Sequence, residues 1–168
     1  KGLTYRIGQH SAAFQDDSLG KKRYVLSSLW DPTGKKVASL MMNPSYASEA
    51  AGDGTVGFMT QYAIVHFQAG AHLVINMSPY IEPDSDKIKA AHFINDPQNK
   101  ISIQKAIEWA DIVFLAWGDK GGIGAIKYKR WLYPLLLRNQ QKLRCFEQSK
   151  KGQPIHKNSR RHKVSLYS

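Results

Sequence analysis

Two asparagines, a glycine-rich turn and a histidine are the residues of this chain best suited to chemistry. They lie in Met42-Asn43-Pro44-Ser45, Leu73-Val74-Ile75-Asn76, Phe114-Leu115-Ala116-Trp117-Gly118 and Gly152-Gln153-Pro154-Ile155-His156. Three of these motifs end an apolar run that reads as a buried strand, then break into polar or turn-forming residues. In an open α/β sheet, ligands bind at the carboxyl ends of the strands. Asn43, Asn76 and the segment after Gly118 are therefore expected to converge on one crevice. A carboxamide is donor and acceptor at once, so Asn43 can hold a water or a ligand edge. Asn76 can bond a ring edge bidentately, as Asn does with adenine. The alternatives are an Asx-turn at Asn43 and capping of the following loop by Asn76. Tyr46 and Phe58 offer faces for a base to stack on, with core packing the alternative for Phe58. A neutral imidazole at His156 donates to a developing oxyanion; a surface histidine in a basic tail is its alternative.

Gly118, Gly121, Gly122 and Gly124 with Lys120 read as a loop whose backbone amides cradle a phosphate. Neither a P-loop nor a dinucleotide-binding fingerprint is present. Ser45 has no histidine in a nucleophile elbow with it. The six histidines have no metal-ligand spacing, so no metal and no cofactor is expected. The lone Cys145 excludes an intrachain disulfide and fits a small buried hydrophobe in a reducing cytoplasm.

Elements must position these residues, and 168 residues with 42% apolar content suit one domain spanning 1–168, its core at about 23–157. No apolar run approaches the length of a membrane span. The formal net charge of +11 favours a polyanion partner. Glu147 is the single acid between Lys120 and Lys163, so the basic segment 142–163 reads as a phosphate-backbone surface. Lys120, Lys150, Lys151, Lys157, Arg160 and Arg161 are the candidate DNA contacts. A monomer is expected.

Residues 1–20 read as irregular. Arg23 to Trp30 and Lys36 to Met42 read as strands joined by the turn Asp31-Pro32-Thr33-Gly34, hence as a β-hairpin. Val56 to Gly70 has helical spacing and a glycine C-cap signal. Leu73 to Asn76 and Ile112 to Trp117 are short buried strands. Asp86 to Phe93 reads as a short helix, Asn99 to Ala110 as an amphipathic helix, and Tyr128 to Asn139 as a helix disturbed by Pro134. Lys142 to Phe146 is the last strand and Lys150 to Lys163 a basic loop. Strands alternating with helices predict a three-layer α/β/α domain with a short, mainly parallel central sheet and an antiparallel edge hairpin.

Trp30-Asp31, Asn43-Pro44-Ser45, Asp53-Gly54-Thr55, Asn76, Asp96-Pro97-Gln98-Asn99, Ala116-Trp117-Gly118 and Gly152 to His156 resemble the motif series of an uncharacterised bacterial and phage family. More distantly, Asn43, Phe58, Asn76, Trp117-Gly118 and His156 resemble, in order, the motifs of the uracil-DNA glycosylase superfamily. That resemblance implies a water-positioning Asn43, a stacking Phe58, a base-reading Asn76, a DNA-facing loop after Gly118, and a His156 that donates to the base oxygen. It departs in lacking the aspartate of the uracil-specific members at the first motif, and in reading His156-Lys157-Asn158-Ser159 without a proline after the histidine. Glu49 and Asp53 are additions, and Asp53 is a candidate for a stronger base. The substrate implied is a damaged, larger or modified base rather than uracil.

The expected function is a monofunctional DNA glycosylase acting on single- or double-stranded DNA, in repair or in defence against phage with modified DNA. The base would be flipped and an abasic site left. The rivals are a non-catalytic nucleic-acid-binding module on the same fold, favoured by the lack of an unmistakable acid–base pair, and an enzyme of free nucleosides or nucleotides. Salt dependence of binding separates them.

Overall fold

The computed structural model describes residues 9–44, 54–155 and 165–166. Strands β3 (Lys35–Met41), β4 (Ala69–Asn76), β5 (Ile112–Ala116) and β6 (Leu143–Cys145) form the parallel centre of a sheet. Strands β1 (Gln9–Asp17) and β2 (Gly20–Leu29) extend it beyond β4 as an antiparallel pair, and β7 (Ser165–Leu166) lies at the other edge. The order is β1-β2-β4-β3-β5-β6-β7. Helix α1 (Gly54–Phe67) covers one face; α2 (Pro97–Trp109), α3 (Gly118–Lys127) and α4 (Lys129–Arg138) cover the other. This is the three-layer α/β architecture with an edge hairpin that the sequence predicts.

The apolar runs explain the layering. Val37 to Met41 and Val113 to Ala116 are buried throughout, as strands covered on both faces must be. Side chains alternate across the sheet. Ala38, Leu40, Ile75, Val113, Leu115 and Leu143 meet Ile103 and Ile107 of α2 and Leu132 and Leu135 of α4. Met41, Val74, Phe114 and Ala116 turn the other way, to Val56, Met59 and Tyr62 of α1. Helix α2 starts where Asp96 accepts the N–H groups of Gln98 and Asn99 at 2.8 and 3.2 Å, with Pro97 in the first helical position.

Four sequence readings need correction. The strands at 23–30 and 36–42 exist, but they are not hairpin partners: β4 lies between them, and the hairpin is β1–β2. The turn at Asp31–Gly34 instead carries the chain across the start of β4, where Trp30 and Asp31 both donate to Gly70 O at 3.0 Å. Gly34 and Gly70 meet so closely there that a Cβ on either would collide with backbone. Gly70 is thus a close-approach position inside β4, and the left-handed residue ending α1 is Gln68, at φ 55°. Residues 9–17, read as irregular, are β1. Gly118 to Gly124 is helix rather than a phosphate loop, so its later amides are used within α3. Its glycines allow close packing: a Cβ at Gly121 would meet Trp117, at Gly122 Gln153, and at Gly124 Phe93, Met77 and Tyr128.

Candidate ligand crevice at the carboxyl ends of the strands

The chain leaves β3 towards α1 on one face and leaves β5 towards α3 on the other. The carboxyl ends of β3 and β5 therefore form a topological switch point, the place where open α/β sheets bind ligands. Register builds the floor. Met41 pairs with Asn76 on one side and with Ala116 on the other, so the three form a row across adjacent strands on the α1 face. Asn43 and Gly118 each lie two residues further on and form the rim. Gly118 has φ 70°, and its N–H donates to Pro154 O at 2.8 Å.

Asn76 is 2% exposed, and its Oδ1 has no hydrogen-bond partner among the described residues, as is also true of Ser27 Oγ, Asn99 Oδ1 and Trp131 Nε1. A buried orphan acceptor costs roughly 1–3 kcal/mol, and such groups cluster where a ligand completes the bonding. The Asn76 backbone is held firmly. Asn99 of α2 donates from Nδ2 to Asn76 O at 3.0 Å and reaches Met77 O at 3.4 Å. Asn99 is placed by Asp96, the cap of its helix. The second carboxylate oxygen of Asp96 takes Lys22 Nζ at 2.8 Å and the Tyr24 hydroxyl at 2.9 Å. Burial works to raise the Asp96 pKa, but the bonds from Lys22, Tyr24 and the Asn99 N–H outweigh it and hold the carboxyl below its usual range. Burial, followed by the bond to Asp96, pushes Tyr24 up to about 12. The Asp-Pro-x-Asn motif thus supports the backbone at Asn76, a role that its sequence alone does not reveal.

Asn43 is neither a free reader nor a simple Asx-turn. Its Nδ2 donates to Pro44 O at 2.9 Å, Tyr80 O at 3.3 Å and Glu82 O at 2.8 Å. The loop after β4 is thereby tied to the end of β3. Carbonyl partners settle which end of the amide is which, and they leave the Asn43 Oδ1 as an acceptor alone. Such a group can hold a water by accepting a hydrogen bond from it.

Phe58 is half-buried on α1, 6.0 Å from the ring of Phe146 and 6.1 Å from that of Tyr62. It belongs to the aromatic packing under α1 and still keeps an open side. Ile155 packs on the same cluster, so the described chain approaches the crevice at the residue before His156. Residues 147–155, which hold the start of the Gly-x-Pro-x-His motif, form a tight hairpin: Ser149 N donates to Gln153 O at 2.7 Å, Ile155 N to Glu147 O at 2.9 Å, and Gly152 takes φ 79°. Ser149 Oγ bonds Asp119, and Gln153 Oε1 accepts the Trp117 indole N–H at 2.8 Å. Lys150 and Lys151 are exposed at the tip of this turn, and Lys120 lies in the first turn of the adjoining α3.

The rest of the basic segment is divided. Lys142 Nζ binds Ile107 O and Glu108 O at 3.2 Å, and Arg144 Nη1 binds Gln141 O at 2.8 Å and Leu143 O at 2.9 Å, so both tie down backbone carbonyls. Tyr46, Asp53, His156, Lys157, Arg160 and Arg161 lie outside the described residues. Arg23, to which the sequence gives no role beyond that of a strand residue, is 1% exposed. Its neighbours Lys22 and Tyr24 both reach Asp96 on the α2 side, so Arg23 turns to the α1 face. Its N–H donates to Pro79 O at 2.8 Å, beside the segment that Asn43 holds. Among the described residues, no three His, Cys, Asp or Glu stand close enough to hold a metal ion, and no helix is long and apolar enough to cross a membrane.

Fold and crevice define an open α/β protein with a polar site at its switch point. Residues 23–156 match the family model of DUF1643, described as a protein of unknown function, and the chain belongs to that family. The match starts at Arg23 and ends at His156, and so takes in every motif discussed above. No curated protein and no solved structure matches the chain.

Proposed function

We propose that the protein is a DNA glycosylase that hydrolyses the N-glycosidic bond of a flipped, damaged or modified base and leaves an abasic site. The observation that carries this reading is the buried carboxamide oxygen of Asn76, without a hydrogen-bond partner among the described residues, at the switch point of the sheet in register with Met41 and Ala116. In this reading Asn76 bonds the base edge and Phe58 stacks on its ring. Asn43 Oδ1 accepts a hydrogen bond from the water that attacks C1′ and so positions it, and Asp53 is the candidate base that takes the water's proton. An asparagine suffices to position the water when the departing base leaves the sugar cation-like. His156 donates to the charge developing on the base, and one such donor is worth about 3 kcal/mol. Lys120, Lys150, Lys151, Lys157, Arg160 and Arg161 hold phosphates without reading sequence. The setting is DNA repair or defence against phage with modified DNA, in the cytoplasm.

The test offers purified protein oligonucleotides carrying chemically varied bases, hypermodified phage-type DNA included. The expected products are free base and a strand cleavable by alkali at the abasic site. If every glycosidic bond stays intact, the reading is wrong.

A further inference from the structure

A pocket opens on the α2–α4 face of the sheet, and its Trp117 wall directly precedes Gly118 at the carboxyl end of β5. Its volume is about 280 Å³, and Trp117, Tyr133, Leu136, Leu137, Leu143 and Gln153 bound it. Trp117 and Gln153, bonded to each other, are its wall at the carboxyl end. Tyr133 is 49% exposed and Leu137 70% exposed. An aromatic face and an exposed apolar side chain at one opening are what a stacking ligand needs. Gln140 and Gln153 stand at the edge. Trp117 occupies Oε1 of Gln153, which leaves its NH2 as a donor. The floor is apolar and the rim carries carboxamides, so the ligand is flat, apolar on its faces and polar at its edge.

Charge extends this description. Lys150 and Lys151 lie on the turn closed by the Ser149–Gln153 bond, directly before a residue that lines the pocket. Lys120 precedes Gly121, which abuts Trp117. The ligand therefore carries anionic groups beside its flat ring. The volume is just below the roughly 300 Å³ at which small-molecule pockets begin, which suits one nucleoside rather than a dinucleotide.

We infer that this pocket receives an unpaired base of the same nucleic-acid strand that Lys120, Lys150 and Lys151 hold, next to the nucleotide in the Asn76 crevice. The occupant must be unpaired, because a base stacked and paired in a duplex offers neither its face nor its edge. A strand crossing the Trp117–Gln153 wall places neighbouring bases on the two faces of the sheet. The inference rests on the nucleic-acid reading of the crevice and adds a second recognition point that the motifs did not announce.

The test follows the methyl resonances of Leu136, Leu137 and Leu143 and the backbone amides of Lys150 and Lys151 while a ten-residue oligothymidylate is added, with thymidine monophosphate in a parallel titration. The expected result is that methyls and amides shift together with the oligonucleotide and saturate at one Kd. Tyr133→Ala should weaken that Kd by roughly 5- to 100-fold, the range for loss of one stacked base, without altering the salt slope, because every phosphate keeps its cation. If the lysine amides shift and the methyls stay still, the strand binds but the pocket does not take its base, and the inference is overturned while the nucleic-acid reading stands. Equal methyl shifts from the mononucleotide and the oligonucleotide at the same nucleotide concentration would make this a free-nucleotide pocket and overturn it too. If neither probe moves either set, the nucleic-acid reading falls with it.

Discussion

The two faces of the sheet are built on different rules. Under α2, α3 and α4 most side chains are apolar, and α3 sits so tightly that three of its glycines have no room for a Cβ, although the Lys22–Asp96–Tyr24 cluster and Asn99 are also buried on this side. Under α1 the packing is aromatic and aliphatic near the helix, but polar groups thread through it. Ser39 Oγ and Thr60 Oγ1 each lie 2.8 Å from a nitrogen of the buried His72. Arg23, Asn76 and the acceptor end of Asn43 occupy the same face towards the carboxyl ends of the strands. Burying polar groups is unfavourable unless they are bonded, and at the carboxyl ends of the strands two neighbouring carboxamide oxygens, those of Asn76 and Asn99, are buried without a partner among the described residues. The α2–α4 face supplies rigidity, and Asn99 transmits it through the sheet plane to the Asn76 backbone.

Breaking the rigid side should have the largest effect. Asp96→Ala removes the helix cap and leaves the Lys22 ammonium buried without its carboxylate; breaking a buried pair from one side costs about 3–5 kcal/mol. A urea midpoint well below that of the wild type is expected, whereas a shift equivalent to less than about 1 kcal/mol, the scale of an exposed pair, would show that the Lys22–Asp96–Tyr24 cluster does not support the fold. The same cluster sets an acid limit. The folded Asp96 carboxyl lies below its unfolded value, so its stabilisation is complete above the ordinary carboxylate pKa of about 3.9 and is lost as pH falls from there through the folded value. Wild type should lose more stability than Asp96→Asn between pH 5 and pH 3, read as Tm across that interval (roughly one unit either side of the ordinary value). Equal losses would assign the acid sensitivity elsewhere.

A smaller effect is expected at Leu137, on the rim of the far pocket. It is exposed, so Leu137→Ala should change stability by no more than about 0.5 kcal/mol, in contrast with the roughly 2–5 kcal/mol of a buried leucine such as Leu115→Ala. Thermal melts of the two variants sharpen the distinction between open rim and sealed core. The smallest change in stability is expected for Lys150→Gln with Lys151→Gln, because exposed charges contribute little to folding. Their effect should appear in binding, as a salt slope shallower by roughly 0.7 for each phosphate of a single strand that loses its lysine. An unchanged slope would make the turn a solvated face.

Much of this architecture is legible in the residues themselves. The largely apolar runs at Val37–Met41 and Val113–Ala116 announce strands covered on both faces, whereas the helix read from Asn99 starts at Pro97, because Asp96 caps it. What escapes is whatever depends on partners distant in sequence. Strand pairing is one case: the turn at Asp31–Gly34 looks like a hairpin loop, and only the docking of Gly34 on Gly70 shows that the chain crosses β4 instead. The glycines of α3 are another. Glycine is a poor helix former, so composition alone reads as a loop, while the reasons for those glycines are Met77, Phe93 and Gln153, far away in the chain. Asn43 is equally hard to place. Local rules offer it an Asx-turn or a ligand, but the groups that orient it are Tyr80 O and Glu82 O. Arg23 looks like any charged strand residue until alternation from Lys22 and Tyr24 turns it to the α1 face.

The central claim is that Asn76 is kept for a ligand and not for the fold. Its Oδ1 has no hydrogen-bond partner among the described residues, and removing an unsatisfied buried polar group can be nearly neutral for stability. The decisive measurement is therefore base release and Tm, side by side, for wild type and Asn76→Ala on one panel of modified oligonucleotides. The account predicts that wild type releases at least one base, and that Asn76→Ala loses roughly 1–3 kcal/mol of discrimination for it while melting close to wild type. A variant that unfolds, or one that releases the same bases with undiminished selectivity, would contradict it.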